Sequence, residues 1–428
     1  MKYAIVGTGG RATSYIDPLV NEYNEDHELV ALCDPNPQRI NYHRDRINSF
    51  KPGLEVQGFS SQEFDEMIKS KSPDVVIVTT VDSEHDKYII KSLESGCNVV
   101  TEKPMTISAE KCSDILRAVN ETGLSLRVAF NYRWGDGASR VKELLAESIG
   151  PVHHVSFQYL LDTDHGADYF RRWHRNKVNS GGLLIHKATH HFDLINWWTN
   201  SVPDTVYGIG KLAFYGNTGA PAQEYRSLSE DNPFQLDLSS SDQLKGLYLD
   251  AEPYDGYRRN QDVFSEGIDI EDTMSVVVKY RTGIHLSYSL VAYSSMEGFT
   301  VTFHGEKGRL HYEEIHHSHT RTGSIPKKGS YSDDRSSNIT IQKLFQESSH
   351  EIIPMQKGGH GGADPLMMRS IFTGEPDENL QRSAGHQQGA ASMLIGAAAN
   401  ISIRDGNTQK IKDLCPILGP AKELSELT

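Results

Sequence analysis

The chain contains few cysteines, no long hydrophobic run and no excess of positive charge. Only four of its 428 residues are cysteines, and they are scattered without the paired spacing of a zinc site or a disulfide framework. No apolar run approaches the roughly 20 residues of a membrane-spanning helix, and the N-terminus shows no cleavable apolar segment. We therefore expect reduced thiols, a cytoplasmic location and no membrane partner.

Acidic residues outnumber basic ones by 57 to 43, which gives a formal net charge of −14. Binding to nucleic acid or to an anionic membrane requires a basic face, so this composition argues against both partners. The chain is also too long for one ordinary hydrophobic core, and its length predicts two domains.

The N-terminal segment KYAIVGTGGRA predicts a buried strand, a glycine turn and the start of a helix. Gly7, Gly9 and Ala12 match the GxGxxA form of the dinucleotide-binding motif. The first glycine of this motif permits the tight turn, and the second lets a diphosphate approach the backbone. The small third residue lets the helix pack close to the strand.

A second apolar run, HELVALCD, ends at Asp34, about where dinucleotide-binding domains carry an acidic residue. A carboxylate at this position accepts hydrogen bonds from ribose hydroxyls and repels a 2′-phosphate, which favours NAD over NADP. Arg39, a few residues later, leaves NADP open, and Asp34 could instead serve only to begin the turn DPNP.

Three further apolar runs alternate with helical patterns, and this alternation predicts a parallel sheet with crossover helices. Ligands in such sheets bind at the carboxyl ends of the strands. The polar residues expected at these ends are Thr79, Thr80, Glu102, Lys103 and Asn131. An ammonium group such as that of Lys103 can donate to a substrate oxygen and polarise it.

The segment GGLLIHKATHHFDLINWW places His186, His190 and Asp193 at spacings of four and three, which predicts one face of a helix. A neutral imidazole at His190 suits proton exchange with a substrate hydroxyl. Two alternatives stay open. His186 and His190 could bind a metal with a third ligand such as Asp193, His174 or His360, or the segment could be a purely structural helix.

Taken in order, the motifs GTGGRA, CDPN, TEKP, NYR and GGLL…HxxxHxxD resemble the glucose–fructose oxidoreductase / inositol dehydrogenase / MocA (Gfo/Idh/MocA) family over nearly the whole chain. The resemblance implies an α/β protein, with a Rossmann doubly wound parallel sheet followed by an α/β domain whose open sheet is mainly antiparallel. It implies an NAD(P)-dependent oxidoreductase acting on CH–OH groups of a sugar or polyol. Homodimers or homotetramers are also expected.

We place an NAD-binding domain at residues 1–127 and a substrate-binding and oligomerisation domain at 128–428. Long polar insertions are expected near 215–265 and 316–338.

The resemblance and the polar clusters together assign the site residues. Lys103, His190 and His186 are expected to be catalytic, although the family usually has an aspartate where His186 stands, which puts the proton relay in question. No metal ligand is assigned. The expected cofactor-binding residues are Gly7, Thr8, Gly9, Gly10, Arg11, Ala12, Asp34, Thr79, Thr80, His85, Glu102, Lys103 and Asn131. The expected substrate-binding residues are Lys103, Tyr132, His165, Arg172, Trp173, His186, His190, Asp193 and His360.

The sequence is compatible with three functions. The first is an NAD-dependent sugar, glycoside or polyol dehydrogenase. The second is a glycoside hydrolase or lyase that keeps NAD bound and acts through a transient 3-keto intermediate. The third is a non-catalytic protein that senses NAD or a sugar on the same scaffold.

Overall fold

The computed structural model describes residues 1–219, 221–226, 232–318, 335–354, 356, 359–374 and 379–427. Within these ranges the strands are β1 (Lys2–Val6), β2 (Glu28–Cys33), β3 (Gln57–Phe59), β4 (Val75–Val78), β5 (Asn98–Thr101), β6 (Leu126–Val128), β7 (Val152–Asp162), β8 (Pro203–Lys211), β9 (Thr273–Tyr280), β10 (His285–Ser294), β11 (Glu297–Gly305), β12 (Gly308–His317), β13 (Ser336–Lys343), β14 (Ser349–Ile352), β15 (Ala384–Gly385) and β16 (Gln409–Lys410).

In the N-terminal part of the same ranges, the α-helices are α1 (Thr13–Asn21), α2 (Pro37–Phe50), α3 (Phe64–Lys71), α4 (His85–Glu94), α5 (Ala109–Thr122) and α6 (Asp136–Glu147). The later helices are α7 (Thr163–Arg171), α8 (Lys177–Ser180), α9 (Leu183–His186), α10 (Thr189–Thr199), α11 (Ala222–Arg226), α12 (Asp242–Leu244), α13 (Glu252–Asp255), α14 (Ala363–Thr373), α15 (His386–Asp405) and α16 (Ile411–Leu414). None of the described helices is both long enough and apolar enough to cross a membrane.

The first sheet has the order β15-β6-β5-β4-β1-β2-β3, and β1 to β6 all run parallel. Strand β4 is buried along its whole length, as its run of β-branched residues predicts. The chain passes to one side of β1 through β2 and to the other through β4, which opens a crevice at the carboxyl ends of these strands. The predicted Rossmann sheet is confirmed.

The second sheet has the order β14-β13-β12-β11-β7-β10-β9-β8-β16. Its neighbouring strands are antiparallel except for β7 and β10, which run parallel. Along β9 the residues alternate between buried and exposed, and α15 packs against β8. The sheet therefore has one face covered by helices and one open face, and the predicted mainly antiparallel sheet is confirmed.

The C-terminal part of the chain returns to the first sheet. Strand β15 pairs antiparallel with β6, and α14 packs against α1. The first sheet therefore takes one edge strand from beyond residue 380, and the division of the chain at residue 127 stays a prediction.

The histidine-rich segment is not one continuous helix, so that prediction is wrong. It forms α9 and α10, and the peptide N–H of Ala188 bonds to the carbonyl of Leu183, one residue farther back than a regular α-helix requires. The carbonyl of Leu184 lies against α15 at Gly396, where a Cβ would come within 2.3 Å of this oxygen. The break is therefore packed against a neighbouring helix that has a glycine at the contact.

The two insertions differ in what the structure shows. Residues 319–334 of the second one lie outside the described residues. Much of the first is ordered into α11, α12, α13 and a π-helical turn at Lys245–Leu249, and this turn packs against α2.

Candidate active site

A cavity of about 500 Å³ lies at the carboxyl ends of the parallel strands. Its walls come from the glycine turn after β1, from the ends of β2, β4 and β5, and from residues of α7, α9 and α10. Both parts of the chain therefore contribute to one cavity, in the position where Rossmann sheets bind ligands.

The glycine turn meets the end of β4. Gly7 has a φ of +86°, and a Cβ on it would lie 2.6 Å from the backbone of Thr79 and Thr80. Only glycine combines this conformation with this close approach. Gly9 and Gly10 line the cavity beside it.

Asp34 lies at the end of β2 and is held by backbone donors. Its Oδ2 accepts a hydrogen bond from the N–H of Thr8 at 2.7 Å, and its Oδ1 accepts one from Asn36 at 2.8 Å. Burial raises the pKa of the Asp34 carboxyl, and these two hydrogen bonds oppose that shift. Arg39 Nη1 lies 3.7 Å from Asp34, while its Nη2 forms an ion pair with Asp255 at 2.8 Å.

The first insertion covers this end of the cavity. The hydroxyl of Tyr248 accepts a hydrogen bond from the N–H of Gly10 at 3.1 Å. The backbone carbonyls of Leu247 and Ala251 accept hydrogen bonds from Arg39 and Asn36. Nothing in the local sequence pattern of residues 242–255 signals these long-range contacts.

Glu102 is the centre of a buried network at the end of β5. Its Oε1 accepts from Arg11 Nε at 2.5 Å and from the hydroxyl of Tyr15 at 2.8 Å. Arg11 also reaches Asp364 at 3.3 Å, and Asn131 donates to the same carboxylate at 2.7 Å. Although burial raises the pKa of Glu102, the charges of Arg11 and Lys103 hold it below its usual value.

Lys103 takes part in an array that links the two parts of the chain. Its Nζ donates to the backbone carbonyl of His186 at 3.1 Å and lies 3.5 Å from His186 Nε2. The other ring nitrogen, His186 Nδ1, lies 2.6 Å from Asp82 Oδ2. Asp82, His186 and Lys103 therefore form a continuous line of polar atoms into the cavity.

Burial governs the protonation of this array. It raises the pKa of Asp82 well above its ordinary value, although the charges of Lys103 and Arg172 oppose this shift. It lowers the pKa of Lys103 to about 8, an effect that the charge of Asp82 opposes. It lowers the pKa of His186 well below its ordinary value, and the ammonium of Lys103 adds to this shift. A neutral His186 that donates Nδ1–H to Asp82 keeps Nε2 as an acceptor for Lys103.

His190, on α10, lines the same cavity. It is 3% exposed, and its ring stacks on that of Tyr132 with centroids 4.3 Å apart. Lys187 Nζ donates to the hydroxyl of Tyr132 at 3.0 Å. The adjacent His191 lies in the core instead, with Nδ1 2.8 Å from the hydroxyl of Tyr288.

Most of the expected site residues line the cavity, namely Gly7, Gly9, Gly10, Arg11, Asp34, Thr79, Thr80, His85, Glu102, Lys103, Asn131, His165, Arg172, Trp173, His186 and His190. His85 Nδ1 lies 2.8 Å from the carbonyl of Pro104. Trp173 stacks on His174, another lining residue, with ring centroids 3.6 Å apart.

Asp193 does not line the cavity, and its expected role in substrate binding is not supported. Its two oxygens accept from Arg133 Nε at 2.7 Å and Nη2 at 2.6 Å, and both side chains are 1% exposed. This buried bidentate ion pair joins α10 to Arg133, so the carboxylate of Asp193 has a structural partner in the core.

Three other expected residues also lie away from the cavity wall. Thr8 is buried and its backbone N–H donates to Asp34, Ala12 is fully buried, and Tyr132 lines a second cavity. The side chain of His360 lies outside the described residues.

The sequence pattern missed Asp82 and Tyr169, which both line the cavity. Asp82 comes four residues after the end of β4, so the rule that polar groups after a strand end are candidates could have found it. Tyr169 has no comparable signal.

The metal alternative at His186 and His190 gains no third ligand among the described residues. Asp82 engages His186, and Arg133 engages Asp193. The group of residues that could hold a metal within the described part of the chain is a different one, formed by Asp162, Glu297 and His317.

Family models match both parts of the chain. Residues 1–130 match the model described as "Oxidoreductase family, NAD-binding Rossmann fold", and residues 142–412 match its "C-terminal alpha/beta domain". The chain belongs to the Gfo/Idh/MocA oxidoreductase family.

Individual proteins of known sequence or structure match along most of the chain. The protein YteT of Bacillus subtilis (strain 168) is 33% identical over 95% of this chain and 97% of its own length. A glycosyl hydrolase family 109 protein of Shewanella baltica (strain OS185) is 21% identical over 95% of this chain and 83% of its own. The WlbA dehydrogenase of Bordetella pertussis, solved with NADH and UDP-GlcNAcA, shares the fold with a TM-score of 0.63 and 18% identity, over 96% of this chain and 95% of that one.

His186 stands where the Gfo/Idh/MocA pattern has an aspartate, and a different aspartate, Asp82, contacts it. The carboxyl group of Asp82 contacts the imidazole of His186 on the side away from Lys103, so an acidic group is still present one side chain away from Lys103. This contact joins residues 104 positions apart in the sequence.

Proposed function

We propose that the chain is an NAD-dependent oxidoreductase that transfers a hydride between a secondary alcohol of a sugar, glycoside or polyol and nicotinamide. The observation that carries the proposal is that Lys103, His186 and His190 line the same cavity as the glycine turn. An ammonium and an imidazole at one cavity provide two proton-handling groups for alcohol chemistry.

The residues present fit a dinucleotide. The turn at Gly7 admits no side chain, Gly9 and Gly10 line the cavity, and Asp34 presents a carboxylate at the end of β2. When bound, nicotinamide supplies the hydride acceptor or donor. Asp34 and Asp255 both lie near Arg39, and their carboxylates together outweigh the one positive charge that Arg39 could offer a 2′-phosphate, which supports NAD over NADP.

In this proposal Lys103 holds the substrate oxygen, and His190 takes the hydroxyl proton during oxidation. The lowered pKa of Lys103, about 8, follows from its burial and leaves it able to exchange a proton near neutral pH. His190 is fixed by stacking on Tyr132, which Lys187 anchors in turn. Asp82 and His186 act as positioning residues that set the orientation and charge of Lys103.

The direct test is turnover of NAD with a panel of sugars and polyols, followed by the absorbance of reduced nicotinamide. Lys103→Met should lower turnover by about 100-fold or more, the scale of lost general acid–base help. Lys87→Met serves as the matched control, because Lys87 lies on α4 and its side chain is half exposed. Full activity of Lys103→Met, or an equal loss in Lys87→Met, would reject the assignment.

A second candidate is a glycoside hydrolase or lyase that keeps NAD bound. Two observations favour it. One is the similarity to a glycosyl hydrolase family 109 protein over 95% of this chain, and the other is the contact of Tyr248, in the first insertion, with the glycine turn. A covered cofactor is released slowly, which suits an enzyme that oxidises its substrate and later returns the hydride. Release of aglycone from aryl glycosides without net NADH would support this candidate, and net NADH without aglycone release would support the dehydrogenase.

We further propose that residues 1–127 form the cofactor domain and 128–428 the substrate and assembly domain of a cytoplasmic homodimer or homotetramer. The open face of the second sheet carries exposed apolar side chains at Tyr207, Ile209 and Val277, which suit an interface between copies. All four cysteines are unpaired, in line with a reducing compartment. Sedimentation analysis of the wild type and of Ile209→Asp would test the interface.

A further inference from the structure

A second cavity, of about 220 Å³, adjoins the first. The two cavities share His165 and Lys187 as lining residues, and Tyr132, which lines the second, stacks on His190 of the first. A ligand in the first cavity could therefore extend toward the second.

A cluster of carboxylates and imidazoles lies at the wall of the second cavity. Asp162 at the end of β7, Glu297 at the start of β11 and His317 at the end of β12 each offer one ligand atom, and these three atoms lie within 4.8 Å of one another. Asp162 Oδ2 and His317 Nδ1 are 3.1 Å apart. Two ligands about 2.1 Å from one ion and at right angles to each other lie about 3 Å apart, so this separation suits joint coordination.

Each carboxylate has one oxygen held by the protein. Asp162 Oδ1 accepts from the backbone N–H groups of Asp164 at 3.0 Å and His165 at 2.8 Å. Glu297 Oε1 lies 2.8 Å from His165 Nδ1. Hydrogen bonds of this kind hold a metal ligand in place before the ion binds. They do not use the second oxygen of either carboxylate.

The second oxygen of Glu297 is buried and, within the described part of the chain, unsatisfied. Glu297 is 4% exposed, and its Oε2 is buried with no hydrogen-bond partner among the described residues. A buried carboxylate oxygen without a donor is costly, and a bound cation is one way to satisfy it. The ion pairs of Glu297 with His165 at 2.8 Å and with His316 at 3.5 Å both involve Oε1, so they leave Oε2 unsatisfied.

We propose that Asp162, Glu297 and His317 bind one divalent transition-metal ion, with Mn²⁺ and Zn²⁺ as the best-suited candidates. Two carboxylate oxygens and one imidazole nitrogen favour these ions over Ca²⁺ and Mg²⁺, which prefer oxygen ligands alone. The side chain of His317 is 46% exposed, so the ion has access from solvent.

Three protein ligands leave coordination positions open, and Glu297 and His317 both line the second cavity. We assign these positions to oxygen atoms of a polyhydroxylated ligand that reaches from the first cavity, a role that rests on the proposed function. Metal binding itself does not depend on that role, since it needs neither NAD nor a substrate.

The test uses untagged, chelator-treated protein titrated with Mn²⁺ alone and followed by electron paramagnetic resonance of the free ion. We expect one equivalent per chain, and at least about 10-fold weaker binding in Glu297→Gln and in His317→Ala. Glu313→Gln is the matched control, because it removes the same charge from β12 at a residue that does not line the second cavity.

His317→Ala keeps the test valid if Glu297→Gln fails to fold, since the side chain of His317 is half exposed. Absence of a stoichiometric Mn²⁺ or Zn²⁺ site in the wild type would overturn the proposal. So would equal binding by the wild type and a folded His317→Ala variant. If the metal binds but no sugar is turned over, the metal proposal stands and the proposed function fails.

Discussion

Replacing Asp82 by asparagine isolates the part of the site that departs from the family pattern. Asp82 is 3% exposed and its Oδ2 lies 2.6 Å from His186 Nδ1, so the substitution keeps the shape and removes the acidic group. The charge of Lys103 favours the ionised form of this carboxyl and opposes the effect of burial on its pKa. The hydrogen-bond distances of 2.6 and 3.5 Å on either side of the imidazole place the ionised carboxylate near Lys103. For a separation of roughly 7 Å and an effective dielectric of about 20, the attraction is about 2 kcal/mol.

The substitution should change the pKa of Lys103. The carboxylate of Asp82 stabilises the ammonium form of Lys103, so its removal should lower the pKa of Lys103 further below about 8. An attraction of about 2 kcal/mol corresponds to roughly one to two pH units. If the ammonium form is the active one, the alkaline limb of the kcat/KM profile should move by this amount toward lower pH.

The assay is the pH dependence of kcat/KM for NAD reduction by the best substrate, in the wild type, Asp82→Asn and Asp86→Asn. Asp86 is the control because it forms an ion pair with Lys111 and does not line the cavity. An unmoved alkaline limb in Asp82→Asn would refute the role of Asp82. Equal shifts in both variants would refute its specificity.

Three further predictions follow from individual contacts. His190→Ala should lower kcat by about 100-fold or more while the protein still binds NAD, as measured by steady-state kinetics and calorimetry. Asp34→Ala should weaken NAD binding and improve the use of NADP relative to NAD, and an unchanged ratio of the two kcat/KM values would dismiss the ribose role. Arg133→Met should cost about 3–5 kcal/mol in the free energy of unfolding, because Asp193 would be left buried and unpaired; a urea denaturation curve close to that of the wild type would contradict this.

The glycine turn and the strand ends could be predicted from the sequence because their determinants are local. Gly7 and Asp34 belong to a motif whose spacing follows from one strand, one turn and one helix. The polar residues at the ends of β4 and β5 follow from the rule that ligands bind at the carboxyl edge of a parallel sheet. Both sets line the cavity.

The features that the sequence did not predict depend on contacts between residues far apart in the chain. The break between α9 and α10 lies against Gly396 of α15, and the position of Asp193 depends on Arg133, which is 60 residues away. The contact of Tyr248 with Gly10 spans 238 residues. Helical spacing depends only on the residues within one segment. It therefore could not show which polar side chains of that segment would form ion pairs or hydrogen bonds in the core.

A crystal structure of the chain with NAD and a bound polyol tests the central claim most directly. It should show the diphosphate at the turn of Gly7 to Gly10 and one polyol oxygen within hydrogen-bond distance of both Lys103 Nζ and the ring of His190, with His186 still bonded to Asp82. A nicotinamide ring remote from Lys103, or a polyol that contacts neither of these side chains, would contradict the account.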